Sequence, residues 1–290
     1  MVRPLAALIC AVTLCSALLT GCAGTDNSES LTARNVDIMP YRMQAGSVMP
    51  QLVESGVLRI GIDPNHPPFS YYNDQGRLTG FDVEIAEALA HNIGLEPHFV
   101  ETDSTQMLNE LGEGKYAIAM YKTASDELLQ LYDLSFPYAT SSAVILVKSD
   151  EQNIQSHSDL SGKRVAVPQE DRYKDLIEES GMNTIAYDNL QNGINQLKSG
   201  EVDAVLTDSL TYLNMSQQNP DLGVKSAAVS SSLFQSKTIV TKGSDDLLAA
   251  INNAITKINA GDHYLLIWNK YFADAPISHK GVNDIGHIIK

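Results

Sequence analysis

Residues 58–92 read LRIGIDPNHPPFSYYNDQGRLTGFDVEIAEALAHN. The run Leu58–Ile62 is short and apolar, which predicts a β-strand. Apolar side chains then recur every four positions from Phe81 to Leu89, with acidic residues and a histidine on the opposite side. This spacing predicts an amphipathic helix over about residues 82–92. A strand followed by such a helix is the repeating unit of α/β folds.

The same alternation continues along the chain and starts again near residue 163. It predicts parallel sheets with helices on both faces. The segments Leu111-x-x-Gly114 and Leu197-x-x-Gly200 each predict a helix end before a strand, as two similar lobes would give, although chance similarity is an alternative. Further strands are predicted at His98–Val100, Ala117–Met120, Arg164–Val167, Thr184–Tyr187 and Ala204–Thr207. Further helices are predicted at Gln106–Leu111, Tyr173–Glu179, Leu190–Leu197 and from Asp245 to Gly261. The closing segment, residues 265–272, is apolar, and its aromatic residues are predicted to pack in the core.

The first 22 residues have the layout of a secretory signal. Arg3 precedes the apolar run Leu5–Leu19, which at about 1.5 Å per residue is too short for a bilayer core of about 30 Å. The run ends in Leu19-Thr20-Gly21-Cys22, which resembles the bacterial lipobox. In a lipobox the chain is cleaved before the cysteine, and the thiol then carries a diacylglyceryl group. An ordinary signal that happens to contain cysteines is the alternative.

The rest of the chain is therefore predicted to be exported and held on the outer face of the membrane by lipid. Residues 1–21 are the lipoprotein signal peptide, and Cys22 carries acyl chains such as palmitate. Residues 22–50 lack periodicity and predict a flexible tether. All three cysteines lie in the first 22 residues, so the exported domain has no thiol for a disulfide, a zinc site or a nucleophile.

The chain is acidic, with 35 Asp and Glu against 20 Lys and Arg and a formal net charge of −15. Such a chain repels nucleic acid and anionic lipid, and it favours cationic ligands over long range. A surface that is acidic only for solubility explains the charge equally well. The charge thus argues against nucleic-acid partners without selecting a ligand.

Several motifs, in the same order, resemble family 3 of the bacterial extracellular solute-binding proteins, the polar amino-acid receptors of ABC importers. The resemblance extends over about residues 55–274. The matching segments are Gly61–Ser70, Gly76–Val83, Gly114–Ile118, Asp133–Tyr138, Asp159–Val165, Gly200–Asp208, Lys242–Ser244 and Ile267–Phe272.

The resemblance implies the type II periplasmic-binding-protein fold, in which two α/β lobes flank a central cleft. The chain would cross between the lobes near Ala139–Val144 and Gln235–Ile239. Lobe 1 would then be discontinuous, comprising residues 51–141 and 235–290, and lobe 2 would comprise residues 142–234. The implied protein is a monomeric, extracytoplasmic lipoprotein that closes its lobes on a small polar solute, amino-acid-like or amine-containing, and delivers it to an ABC permease and ATPase.

The resemblance also assigns roles to individual residues. Asp208 matches the acid that receives the ammonium group of the ligand, and capping of the following helix is its alternative role. His66 takes the place of an aromatic residue that stacks on the ligand, although an exposed loop histidine is nearly as good an explanation. Thr123, Tyr121 and Met120 fall where relatives line the floor of the site; Thr123 fits their hydroxyl pattern, whereas the other two predict a narrower, more apolar floor.

Two departures from the family pattern concern the carboxylate of the ligand. Leu128 occupies the position of the arginine that clamps it, and Glu170 and Asp171 replace a Gly-Thr pair that supports it. Arg172 follows at once and is a candidate for a relocated clamp; a surface arginine, or one paired with Glu170, is the alternative. The acids Glu170, Asp171 and Asp208 would also suit an amine without a carboxylate.

Two other functions compete with solute import. Glu170 or Asp171 could act as a general acid in a cleft enzyme such as a dehydratase, and a receptor that reports its ligand could use the same fold. The chain has no phosphate loop, no metal-ligand spacing and no nucleophile–base pair, and its histidines are scattered. We therefore predict a binding protein that is not an enzyme and holds no cofactor or metal.

Overall fold

The computed structural model describes residues 56–123, 131–168 and 171–273, all of which belong to one compact unit, Met39–Lys290. Within these ranges, the side chains of Tyr121, Lys122, Thr123, Asp171 and Ser232 are not described. Among the predicted features, the signal peptide, Cys22, the tether, Leu128 and Glu170 lie outside the described residues.

Strands and helices alternate in the described chain much as the sequence predicts. The strands are β1 (Val57–Ile62), β2 (Asn65–His66), β3 (Ser70–Tyr72), β4 (Leu78–Thr79), β5 (Glu96–Glu101), β6 (Ile118–Thr123), β7 (Tyr132–Leu134), β8 (Ala139–Lys148), β9 (Arg164–Pro168), β10 (Asn183–Tyr187), β11 (Ala204–Asp208) and β12 (Val224–Thr241). The α-helices are α1 (Phe81–Asn92), α2 (Met107–Gly112), α3 (Lys174–Ser180), α4 (Leu190–Ser199), α5 (Ser209–Gln218), α6 (Asp245–Asn259) and α7 (Asp262–Phe272), with short 3-10 turns at His157–Leu160 and Asp171–Tyr173.

Most strands form one continuous sheet in the order β10-β9-β11-β8-β12-β6-β1-β5, with β7 added on β12, while β2, β3 and β4 form a separate small sheet. The groups β10-β9-β11 and β6-β1-β5 are parallel, as predicted. The long strands β8 and β12 between them are antiparallel to their neighbours, which the alternation did not predict. Strand–helix alternation reports only strands joined by helices, whereas β8 and β12 carry the chain from one lobe to the other.

Each parallel group has its own hydrophobic core, which gives the molecule two lobes. We call the lobe with β1, β5 and β6 lobe 1, and the lobe with β9, β10 and β11 lobe 2. In lobe 1 the ring of Phe81 is fully buried, with its centroid 5.1 Å from that of Phe272 and 5.8 Å from that of Trp268. The prediction that the aromatic residues of the closing segment pack in the core is confirmed.

Helix α5 is the main helix that sequence periodicity missed. Leu210 belongs to the core of lobe 1, whereas Tyr212 and Met215 pack against a cluster in lobe 2. Its apolar residues therefore cover two faces instead of one stripe, because the helix lies between two cores. Among the described residues, no helix is both long enough and apolar enough to cross a membrane.

One glycine holds the loop after β1 against the start of α1. Gly80 has φ 136°, and a Cβ atom there would lie 2.2 Å from the carbonyl oxygen of Phe69. Only glycine allows this backbone conformation together with such a close approach. The loop containing His66 is thereby held against the lobe 1 core.

Candidate ligand-binding cleft

Three parallel strands of lobe 2 end side by side at one edge of the sheet. Pro168 at the end of β9 pairs with Tyr187 at the end of β10. On the other side of β9, Val205 of β11 pairs with Ala166, which brings the end of β11 to the same edge. Ligands of open α/β sheets bind outside the carboxyl ends of the strands. The loops that follow these three strands are therefore the natural place for a binding site.

A cavity of about 650 Å³ lies at this edge and has walls from both lobes. Its volume is within the range of small-molecule sites, about 300–1,000 Å³. Lobe 1 contributes residues 63, 65–68 and 104–105, and lobe 2 contributes residues at or after the ends of β9, β10 and β11 and one side of α5. Three predicted ligand contacts line it: His66, Arg172 and Asp208.

Arg172 lies on the lobe 2 wall, half-buried, with its guanidinium group against two aromatic rings. Its Cζ atom is 5.0 Å from the ring centroid of Tyr173 and 5.5 Å from that of Phe234. Those two rings pack edge to face, with centroids 5.0 Å apart, and both are almost fully buried. Cation–π contacts of this kind stabilise an arginine and limit its orientations. The guanidinium group is thus held in place at the cavity wall.

His66 faces Arg172 from the other lobe. Nε2 of His66 is 3.5 Å from Nη2 of Arg172, and the imidazole ring is tilted against Phe69 with a centroid distance of 5.9 Å. The loop is fixed further because Oδ2 of Asp63 accepts a hydrogen bond of 3.2 Å from the backbone N–H of Ser104. Residues 66 and 172, which are distant in sequence, therefore meet across the cleft.

Asp208 ends β11 and is 1% exposed. Its Oδ1 accepts hydrogen bonds from the backbone N–H groups of Leu210 and Thr211, and its Oδ2 accepts one of 2.6 Å from Oγ of Ser141. The carboxylate therefore caps α5, which was the alternative role considered for it. A carboxylate offers about four acceptor positions. Capping is consequently compatible with a ligand contact at the cavity wall that Asp208 also lines.

The predicted floor of the site looks different in the structure. Met120 is 4% exposed, belongs to the hydrophobic core of lobe 1 and does not line the described cavity. Its sulfur lies 3.8 Å from Oγ1 of Thr238 on the neighbouring strand. The assignment of Met120 to the floor is therefore corrected to a core position, because its side chain points from β6 into the packed interior. Tyr121 and Thr123 pair through their backbones with Lys237 and Gln235.

Other cavity residues were missed by the sequence analysis. Asp188 follows directly after β10, and Asn214 and Gln218 lie on α5. Asp188 could have been found, because Tyr187 was predicted to end a strand of the parallel sheet and the next residue should lie at its carboxyl edge. The two α5 residues could not be found in this way, since their helix was not predicted.

Asp203 directly precedes β11, the strand that ends at the cavity residue Asp208, and it has a structural role. Its Oδ1 is 2.7 Å from Nη2 of Arg164, and its Oδ2 accepts the backbone N–H of Arg164. The hydrogen bond from the guanidinium group lowers the pKa of the Asp203 carboxyl. Within the described parts of the chain, no group of three or more His, Cys, Asp or Glu side chains is arranged to hold a metal ion.

Comparison with known proteins places these features in context. An L-cystine-binding protein of Escherichia coli K12 is 34% identical over 224 residues, covering 76% of this chain and 84% of the relative. An L-cystine-binding protein of Bacillus subtilis 168 is 26% identical over 275 residues, covering 94% of this chain and 98% of the relative. Among solved structures, an ancestral arginine-binding protein bound to arginine is 33% identical with a TM-score of 0.66, covering 75% of this chain and 98% of that one.

The sequence profile of the bacterial extracellular solute-binding proteins, family 3, matches residues 58–274. That range includes both parallel groups of strands except Val57, the two connecting strands and every described residue that lines the cavity. The resemblance noted from short motifs is thereby confirmed over three quarters of the chain. The chain belongs to family 3 of the bacterial extracellular solute-binding proteins, two-lobed receptors of the type II fold.

Proposed function

We propose that this protein captures an α-amino acid outside the cytoplasm, without changing it chemically, and presents it to an ABC importer. The observation that carries the proposal is the meeting of Arg172, Asp208 and His66, from two lobes, at one cavity. In this proposal the lobes have the predicted bounds, residues 51–141 with 235–290 for lobe 1 and residues 142–234 for lobe 2. A ligand that contacts both lobes only when they are closed shifts the population towards the closed form.

In this proposal the two charged ends of the amino acid meet two charged residues of lobe 2. Arg172 holds the carboxylate through two parallel N–H groups, in place of the arginine that Leu128 replaces. Asp208 receives the ammonium group, and His66 covers the ligand from lobe 1. Asp171, Tyr121 and Thr123 stay predicted contacts. Support comes from the relatives reported above, which are named for binding L-cystine or arginine, because each of these ligands carries both charged groups.

A binding screen tests the proposal. The full-length protein in mild detergent is heated with each common L-amino acid, with putrescine as an amine lacking a carboxylate, and with succinate as a carboxylate lacking an amine. A ligand at 100 times its Kd stabilises the folded protein by about 2.7 kcal/mol, which should raise Tm by about 5–10 °C for a domain of this size. X-ray scattering should show a smaller radius of gyration with the same ligand.

The expected result is a shift with at least one amino acid, which mass spectrometry then recovers intact, and none with putrescine or succinate. A shift with putrescine alone would contradict the carboxylate clamp, and chemical conversion of the ligand would contradict a purely binding role. No shift with any amino acid, L-cystine included, would overturn the proposed function.

We also propose that the protein is anchored to the membrane through Cys22. In cells fed alkyne-labelled palmitate, the wild-type protein should carry the label, and Cys22→Ser should lose it, because only a lipobox cysteine is lipidated. Cys15→Ser is the matched control, since it removes a thiol from the signal segment and should keep the label. Persistent label on Cys22→Ser would contradict the anchor.

A further inference from the structure

The cavity extends beyond Arg172 and Asp208, the two charged residues that would hold the carboxylate and the ammonium group of the amino acid. β9 lies between β11, which ends at Asp208, and β10, which is followed by Asp188, so the two aspartates lie at strand ends two places apart in the sheet. Neighbouring strands are about 4.8 Å apart, which separates the two backbones by about 10 Å at this edge. Both aspartates line the same cavity, with Arg172 following the strand between them.

Helix α5 independently indicates an elongated cavity. Thr211 in its first turn and Gln218 in its last turn both line the cavity wall. Seven residues of helix span about 10 Å at 1.5 Å per residue. The space therefore extends well beyond the room that one ammonium and one carboxylate group need, and a ligand that fills it has a second end.

The charge of the wall indicates the chemistry of that second end. Of the described cavity residues, Asp63, Asp188 and Asp208 are acidic, and Arg172 is the one Lys or Arg. Asp63 accepts backbone hydrogen bonds within lobe 1, and Asp208 caps α5. Asp188 is exposed and accepts no hydrogen bond from the part of the chain that the structure describes. Closure on a neutral or anionic group would desolvate this carboxylate without compensation.

We propose that Asp188 receives a second cationic nitrogen of the solute, so that the site selects amino acids with a positively charged group at each end. This inference rests on the proposed function, since the first end is held by Arg172 and Asp208. The carboxylate of Asp208 bonds Oγ of Ser141 on β8, which lies on the side of β11 away from Asp188, so the separation of about 10 Å between the two backbones leaves several ångströms between the ligand nitrogens. A disulfide-linked diamino acid fits, because its Cα atoms are about 5.5 Å apart. An amino acid with a guanidinium or ammonium side chain offers the same chemistry.

Two matched pairs of probes distinguish a disulfide-linked diamino acid from an amino acid with a cationic side chain. L-Arginine is compared with L-citrulline, in which a neutral ureido group replaces the guanidinium group. L-Cystine is compared with S-methylthio-L-cysteine, which keeps the disulfide and lacks the second amino acid end. Calorimetry on the full-length protein in mild detergent gives the Kd of each probe, and the ratio within a pair measures recognition of the distal group.

We call L-arginine and L-cystine double-ended probes and L-citrulline and S-methylthio-L-cysteine single-ended probes. In at least one pair, the wild-type protein should bind the double-ended probe at least tenfold more tightly than the single-ended probe. Asp188→Asn should reduce that ratio to about one, by weakening the double-ended probe about tenfold and leaving the single-ended probe within twofold. Asp221→Asn is the matched control: it removes the same charge from an exposed position of lobe 2 that does not line the cavity, and should keep the wild-type ratio.

Three results would overturn the inference. They are a wild-type ratio near one for both pairs, a ratio unchanged by Asp188→Asn, and an equal loss for all probes in that variant. In each case single-ended amino acids still bind, so the proposed function stands. If the wild-type protein binds none of the four probes and no amino acid in the wider screen, the proposed function fails as well.

Discussion

Replacing Arg172 with glutamine should weaken binding of the amino acid ligand about 100-fold or more. Hydrogen bonds to charged groups contribute about 1.5–3 kcal/mol each, and a tenfold change in Kd corresponds to about 1.4 kcal/mol. The guanidinium group would make two such bonds to the carboxylate, and glutamine has neither its charge nor its pair of parallel donors. Calorimetric titration with the best ligand from the screen measures the effect.

Two further variants make this prediction specific. Arg172→Lys keeps the charge but loses the two-pronged geometry, so we expect an affinity between those of the wild type and the glutamine variant. Arg164→Gln removes a guanidinium group from the same lobe, one paired with Asp203 outside the cavity, and should leave Kd within about twofold. If Arg172→Gln bound as tightly as Arg164→Gln while keeping the wild-type circular dichroism spectrum, Arg172 would not be the clamp.

The second large effect is expected on stability. Phe81→Ala should lower the free energy of unfolding by about 4 kcal/mol, because it removes a fully buried ring and leaves a cavity. The ring lies at the centre of the lobe 1 aromatic cluster, with the rings of Tyr138, Trp268 and Phe272 around it. Urea unfolding followed by circular dichroism measures the change in midpoint and slope.

Phe136 provides the matched control, since it is a phenylalanine of lobe 1 that is 57% exposed. Phe136→Ala should change the free energy of unfolding by less than about 0.5 kcal/mol. Equal midpoints for the two variants would show that the cluster around Phe81 contributes little to stability, contrary to the packing described above.

Local sequence patterns predicted the strand–helix units well. The helix predicted over residues 82–92 is α1, Phe81–Asn92, and the strand predicted at Arg164–Val167 is β9, Arg164–Pro168. Such units are predictable because burial of one face imposes a short period on the chain, and glycine marks their ends. Arg172 was placed at the cleft by the resemblance to the family, because it follows the two residues that replace the Gly-Thr pair.

Longer-range features escaped prediction for a common reason. The register of β8 against β12 joins residues from distant parts of the chain, and no local period encodes it. Met120 was placed at the floor of the site by its position in a motif, whereas the direction of its side chain depends on how β6 packs against its neighbours. The contribution of α5 to the cavity wall likewise depends on its position between two cores.

The sequence by itself determined the α/β class through its periodicity and the acidic character of the chain through its composition. Its ordered motifs indicated the family, and the match to those motifs supplied the candidates His66, Arg172 and Asp208. Only the tertiary structure decided that these three residues share one cavity, that Asp208 caps α5 and that Asp188 lies at the same edge of the sheet. The physical reason is that strand order, register and side-chain direction come from the packing of distant segments, which is a property of the whole folded chain.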